Sequence, residues 1–231
     1  MASQHNPPIL NAPTAVTWIV GIAVVVHLAR VLLPGSVGDW MLELFAFFPG
    51  RYHGPPGDGL DTFAMIASPI GHMFLHADWM HLIINMAFLL AFGSAIGRRM
   101  GATQFVMLYL ACGIVACFLW DFVNNAPQAV LVGASGAVSG MVGAAARVSI
   151  WPPRNSPSAL PFWRRSTIIT FVAIWLLLNV VFGIFPFLIT DEYAGIAWEA
   201  HMGGFIAGFL LISAFDGRGR IQPEAVPATF H

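Results

Sequence analysis

Apolar residues run along this chain in long blocks, separated by polar or glycine-rich connections. A membrane-spanning helix needs about 20 mostly apolar residues, with a range of roughly 17–25. The blocks Thr14–Leu33, His81–Ile96, Ala102–Phe122, Ser135–Ile150, Thr167–Ile189 and Trp198–Phe215 reach or approach that length. The second, fourth and sixth are short for full spans. The pattern predicts an all-α membrane protein: a six-transmembrane-helix bundle with a short fourth helix. No repeat is evident and no Pro/Gly-rich linker divides the chain. One domain is therefore expected over residues 14–216, between an N-terminal tail (1–13) and a C-terminal tail (217–231). The segment beyond Phe215, with Pro223 and Pro227, reads as unstructured.

The connection from Pro34 to Met80 breaks the rhythm of short links. Connections longer than about 12–15 residues tend to be functional or disordered. This one carries amphipathic pieces, WMLELFAFFPG and TFAMIASPIGHMFLHADW, suited to lying in the membrane interface. Trp40, Phe45, Phe47 and Phe48 are expected at that boundary.

Composition sharpens the class. The chain is 58% hydrophobic and 9% charged, whereas a soluble domain is about 45–50% apolar and roughly 25% charged. A soluble globular domain, a disordered chain and a nucleic-acid binder are excluded, the last because it needs a basic excess. Every basic residue is Arg. With the N-terminus in the cytoplasm, Arg98, Arg99, Arg147, Arg154, Arg164, Arg165, Arg218 and Arg220 fall inside, and Arg30 and Arg51 outside. Positive residues favour the cytoplasmic side, so both termini are expected there. Most acidic residues, including Asp58, Asp78, Asp121, Asp191, Glu192 and Glu199, segregate to the other side; Asp216 and Glu224 do not. No Arg or Lys precedes the first apolar block, which argues against a cleaved signal peptide. Cys112 and Cys117 lie five positions apart on one expected helix, facing differently, and read as small buried hydrophobes.

The fourth block, GASGAVSGMVGAAA from Gly133 to Ala146, is built almost wholly of small residues. Gly133, Gly136, Gly140 and Gly143 follow the helical period and form one smooth stripe. Such stripes let membrane helices approach closely, so this helix is expected at the bundle centre. Ser135 sits at its start, near backbone N–H groups that lack intrahelical partners. Alone it reads as a packing or N-cap serine.

Histidines add chemistry. His72, His76, His81 and His201 gather at the outer ends of the second and sixth blocks. Ionisable groups within membrane helices are costly and point to function. His27 lies inside the first block without an obvious partner. His201 opens AHMGGFIAG (Ala200–Gly208), and Gly204 and Gly208 share its face. Docking that face on the fourth block brings His201 toward Ser135. A hydroxyl becomes nucleophilic when a base removes its proton. His81 and Asn85, at i and i+4, share a face and offer donors to an oxyanion, together with the Ser135 N–H. Each of these residues has a purely structural alternative as buried polar or packing residues.

HMFLHADWMHLIINM (His72–Met86), GASG (Gly133–Gly136) and AHMGGFIAG together resemble the signature segments of rhomboid intramembrane serine proteases. Order and spacing agree over roughly Thr14–Phe215. The resemblance implies a rhomboid-like bundle and hydrolysis of peptide bonds in or beside transmembrane segments of protein substrates. It implies Ser135 as nucleophile, His201 as general base, and His81 and Asn85 as oxyanion donors. His72, His76, Gly133, Ala134 and Gly136 are expected to line the site; Gly140, Gly143, Gly204 and Gly208 are expected to pack helices. No cofactor or metal is implied. The partners are transmembrane substrates and the lipid bilayer, not nucleic acid, and a bacterial inner membrane fits the Arg bias. The chain departs from the family pattern at Ser139, where many members have Tyr stacked on the histidine. It departs again at Gly97, where many have a Glu that tethers the outer loop. The outer loop also lacks a common Trp-Arg pair.

A non-catalytic binding protein of the same family is disfavoured by the presence of both Ser135 and His201. A zinc site on His72, His76 and His81 lacks the HExxH glutamate. A transporter lacks inverted repeats or paired broken helices.

Overall fold

The computed structural model describes residues 12–54, 59–151, 162–185 and 197–216. Most of both expected tails lies outside these, as do Asp58, Arg154, Asp191, Glu192, Arg218, Arg220 and Glu224; the side chains of Arg164 and Arg165 also lie outside the described set.

The chain is an all-α membrane bundle. Its long elements are α1 (Thr14–Leu32), α2 (Gly35–Phe45), α3 (Gly59–Gly71), α4 (Trp79–Gly97), α5 (Ala102–Asn124), α6 (Ser135–Ile150), α7 (Phe162–Ile184) and α8 (Trp198–Phe215). Helices α1, α4, α5 and α8 are long and apolar enough to cross a membrane, and α7 contains a shorter apolar stretch, Ser166–Val181. Among the described residues the only β-pairing is an isolated antiparallel bridge, Phe47 to Leu131.

The boundaries follow local chemistry. Helix α4 starts at Trp79, earlier than the apolar pattern suggested, because the Asp78 carboxylate caps it by accepting the His81 N–H at 2.8 Å. It passes through a π-helical turn at Leu89–Gly93 before ending at Gly97. Helix α7 ends at Ile184 rather than Ile189. Pro186 follows Phe185, and a residue before proline is pushed out of the helical region. The residues after 185 that the fifth block included lie outside the described set.

Helix α6 occupies the centre: nearly every residue from Gly136 to Ala146 is buried. Its contact with α8 is backbone on backbone. A Cβ on Gly204 would collide with the Gly136 carbonyl oxygen, one on Gly208 with that of Gly140, and one on Gly143 with that of Phe205. On the α5 side, a Cβ on Gly136 would stand 2.5 Å from the Ala116 Cβ. Cys112 is buried against Gly140, and both cysteines are free thiols. Outward faces of the surrounding helices carry exposed Trp18, Val25, Ile83, Leu177 and Leu210, as a lipid-facing surface requires.

The connection between α1 and α4 is ordered around Arg51. Its guanidinium donates to the carbonyls of Glu43 and Ala46, pairs with Asp61 at 3.1 Å and lies over the Phe48 ring at 4.6 Å. The Tyr52 hydroxyl donates to the Met65 carbonyl at 2.7 Å. Trp40 is exposed, but Phe47, expected at the boundary with it, is fully buried. The bridge to Leu131 draws it inward, where it stacks on Tyr52 at 5.0 Å and meets Phe118 edge-on at 5.3 Å. At the opposite end of the bundle Arg99 pairs with Asp216 at 2.8 Å and joins α4 to α8.

Candidate active site

A cavity of about 490 Å³ opens where α4, α6, α7 and α8 meet. Ser135, His201, His81 and Asn85 all line it. So do Asp78, Trp175, Asn179 and the segment Val130–Val132, none of which the sequence pattern had singled out as site residues.

Ser135 is the first residue of α6, where the leading N–H groups have no intrahelical acceptor. The chain reaches it through a sharp turn: Gly133 has φ +118, a conformation L side chains rarely adopt. Glycine is required there for space as well. A Cβ at Gly133 would stand 2.7 Å from His81 Nε2 and 3.8 Å from Ser135 Oγ. The same point thus abuts the imidazole and the hydroxyl, which flank one spot beside the Gly133 turn. The turn is held from below. The Gly133 N–H donates to the His72 carbonyl at 2.8 Å, and the Ala134 N–H donates to His76 Nε2 at 3.4 Å.

His72 and His76 do not line the cavity. They are buried beneath it, 1% and 0% exposed. Gly133, Ala134 and Gly136 do not line it either. His72 Nδ1 bonds to the Ser68 carbonyl at 2.9 Å. Burial lowers the His72 pKa from 6.5 to about 4 and the His76 pKa to about 3, the latter helped by the nearby His81. Both rings are therefore neutral at neutral pH, and their visible role is structural support of the Gly133 turn.

The tautomer of His81 follows from its neighbours. Its Nδ1 accepts the Ala77 N–H at 3.4 Å, so the ring proton sits on Nε2, the nitrogen facing Gly133 and Ser135. Asn85 donates an amide hydrogen to the His81 carbonyl at 2.9 Å and lines the same cavity. Helix α4 therefore sets the His81 N–H beside Ser135 and a second donor-bearing side chain, Asn85, in the same cavity.

His201 lies on the first turn of α8. Its Nδ1 is hydrogen-bonded to Asn179 Oδ1 of α7, and its ring lies 6.4 Å from that of Trp175 at 33°. Ser139, one turn after Ser135, donates its hydroxyl to the Ser135 carbonyl at 2.6 Å and does not serve His201. The aromatic partner comes from α7 instead. Asn179 carried a usable sequence signal: a polar amide inside an apolar run, one turn after Trp175.

His27 is 2% exposed and packs edge-on against Trp79 at 4.5 Å. Arg30 donates to the His76 carbonyl at 2.6 Å, tying α1 to the segment under the cavity. Among the described residues no group of three or more His, Cys, Asp or Glu is arranged to hold a metal ion.

A family model described as Rhomboid domain matches residues 65–216. The chain is 32% identical over 139 residues to RHOMBOID-like protein 1 of Arabidopsis thaliana, a match covering 60% of this chain and 32% of that protein. It is 30% identical over 145 residues to Rhomboid-like protease 3 of Toxoplasma gondii, covering 62% and 49%. To the Rhomboid protease GluP of Bacillus subtilis it is 31% identical over 140 residues, covering 61% and 24%. The matched region thus spans less than half the length of each of these relatives.

Proposed function

The chain belongs to the rhomboid family, and from that premise we propose that it is an intramembrane serine endopeptidase acting through Ser135 and His201. The observation that carries the reading is one cavity lined at once by a helix-start serine, a histidine on the facing helix and two N–H donors.

In the proposed reaction His201 Nε2 takes the Ser135 hydroxyl proton as Oγ attacks the scissile carbonyl carbon. The new C–O bond leaves a negative oxygen. His81 Nε2–H, the Asn85 amide and the Ser135 N–H donate to it. Collapse breaks the C–N bond, and the imidazolium returns its proton to the leaving amine. Water then attacks the acyl-enzyme with His201 again as base, releasing the acid and restoring Ser135.

The substrates are transmembrane proteins. A helix in lipid satisfies its own backbone groups, so the scissile segment must unwind first. Substrates with small or helix-weakening residues near the interface suit this need. The Arg distribution favours an orientation with the cavity side outward and the Arg99–Asp216 end and both termini in the cytoplasm. A bacterial inner membrane fits that arrangement.

The test is cleavage of a tagged transmembrane substrate in liposomes, together with fluorophosphonate labelling followed by peptide mapping. Wild type is expected to cleave and to carry the label on Ser135. Ser135→Ala and His201→Ala are expected to lose both. Cleavage surviving in Ser135→Ala overturns the nucleophile assignment. Folded wild type that neither cleaves a panel of helix-weakened substrates nor takes the label points to a binding role without catalysis.

A further inference from the structure

His201 is held from a helix other than its own. Its Nδ1 meets Asn179 Oδ1, with no carboxylate in that position. The orientation of the Asn179 amide is set independently, because its Nδ2 donates to the Trp175 carbonyl at 2.8 Å. That bond fixes which amide atom is nitrogen, a choice that otherwise rests on convention. The atom turned to His201 is therefore the oxygen. A carbonyl oxygen only accepts, so His201 Nδ1 must carry the ring proton.

We propose that Asn179 is the positioning residue of His201, accepting its Nδ1 proton so that Nε2 is the unprotonated nitrogen available to Ser135. The inference rests on the serine-protease reading and extends the pair Ser135–His201 to a third member on α7. An amide suits the setting. A carboxylate between apolar helices must be desolvated at high cost unless it is paired, whereas a neutral amide needs only its hydrogen bonds. Asn179 has both: one donated within α7 and one accepted from His201. Trp175, one turn earlier, sets its ring beside the imidazole, so α7 supplies both the acceptor and the aromatic contact. The same division of labour serves nucleophile–histidine–amide sites in unrelated folds, where the third group holds tautomer and orientation.

The experiment compares wild type with Asn179→Ala, Asn179→Leu and Asn179→Asp in the full chain. Cleavage kinetics and the rate of fluorophosphonate labelling at Ser135 are measured. Nitrogen-15 NMR of histidine-labelled protein reads the His201 tautomer, with His201→Ala identifying the resonance. Loss of the acceptor is expected to lower kcat by about 10²-fold with KM little changed, since misplaced catalytic groups lose that much. Labelling slows in parallel, and the His201 signal leaves the Nδ1–H form. Asn179→Asp keeps the acceptor but sets an oxygen against the Trp175 carbonyl, so it restores part of the rate and returns the His201 signal to the Nδ1–H form. Leu matches the size of Asn, so it reports the same loss if Ala alone disturbs folding. Wild-type kcat together with an unchanged tautomer in the Ala or Leu variant overturns the proposal. Wild type that takes no label at Ser135 overturns the protease reading instead, while the NMR signal still decides whether Asn179 sets the tautomer.

Discussion

Gly204 of α8 meets the carbonyl oxygen of Gly136 in α6 with no room for a Cβ between them. Overfilling a packed interior costs about 1–3 kcal/mol. Gly204→Ala and Gly208→Ala are therefore expected to lower the thermal unfolding temperature in detergent. Gly21 of α1 is the control, because a Cβ there meets nothing within 4 Å. Gly21→Ala is expected to be neutral or to gain up to about 1 kcal/mol. Equal unfolding temperatures for all three variants would refute the close-contact account.

His81 and Asn85 line the cavity with Ser135, and His81 Nε2–H faces the Ser135 end. Under the proposed mechanism, His81→Ala or Asn85→Ala lowers kcat by about 10²–10³-fold, the usual loss for one oxyanion donor. KM should change far less, because the donors act on charge present only in the transition state. Steady-state kinetics in liposomes separates the two parameters. A rise in KM at constant kcat would move these residues from the reaction to substrate binding.

Arg51 gathers the C-terminal end of α2 and the start of α3 through two carbonyls and Asp61. Arg51→Ala removes these bonds together. Backbone amides from Glu43 to Phe47 are expected to exchange faster with deuterium, by an amount matching about 1–3 kcal/mol for carbonyls left without partners. Exchange in α6, remote from Arg51, should stay at the wild-type rate. Unchanged exchange across Glu43–Phe47 would show that Tyr52 and the Phe47–Leu131 bridge hold the segment without Arg51.

His72 and His76 are buried neutral, with pKa values lowered from 6.5 to about 4 and about 3 by desolvation. Below pH 6.5 the unfolded chain binds protons that the folded chain refuses. Stability is thus fully present above that pH and falls as pH drops from 6.5 toward 4. The unfolding temperature in detergent should be flat above pH 7 and decline over that window. His76→Gln, which cannot protonate, is expected to flatten the decline. A variant with the wild-type slope would assign the acid sensitivity to other groups.

Helix existence could be read from the sequence because apolar blocks of spanning length have few other uses. Each of the six blocks contains a helix among its described residues, and the Ser135–Ile150 and Trp198–Phe215 boundaries coincide with α6 and α8. The glycine stripe also pointed to a close α6–α8 contact, since small residues at helical spacing leave little else to pack. The ends of α4 and α7 were less readable: a side-chain cap at Asp78 and the proline after Phe185 outweighed the apolar pattern.

What the sequence determined by itself is what periodicity and residue size can encode: the apolar helices, the central small-residue helix, and the residues suited to a hydroxyl–imidazole pair. Tertiary structure alone decided what lies beside them. It put His72 and His76 beneath the cavity, because their bonds to Ser68 and Ala134 face inward. It buried Phe47, because an isolated bridge to Leu131 pulled it off the interface. It supplied His201 with Asn179 and Trp175 from α7. Partners 22 residues apart, as Asn179 and His201 are, share no local period. Only the packing of whole helices brings them together, and that depends on every contact along both.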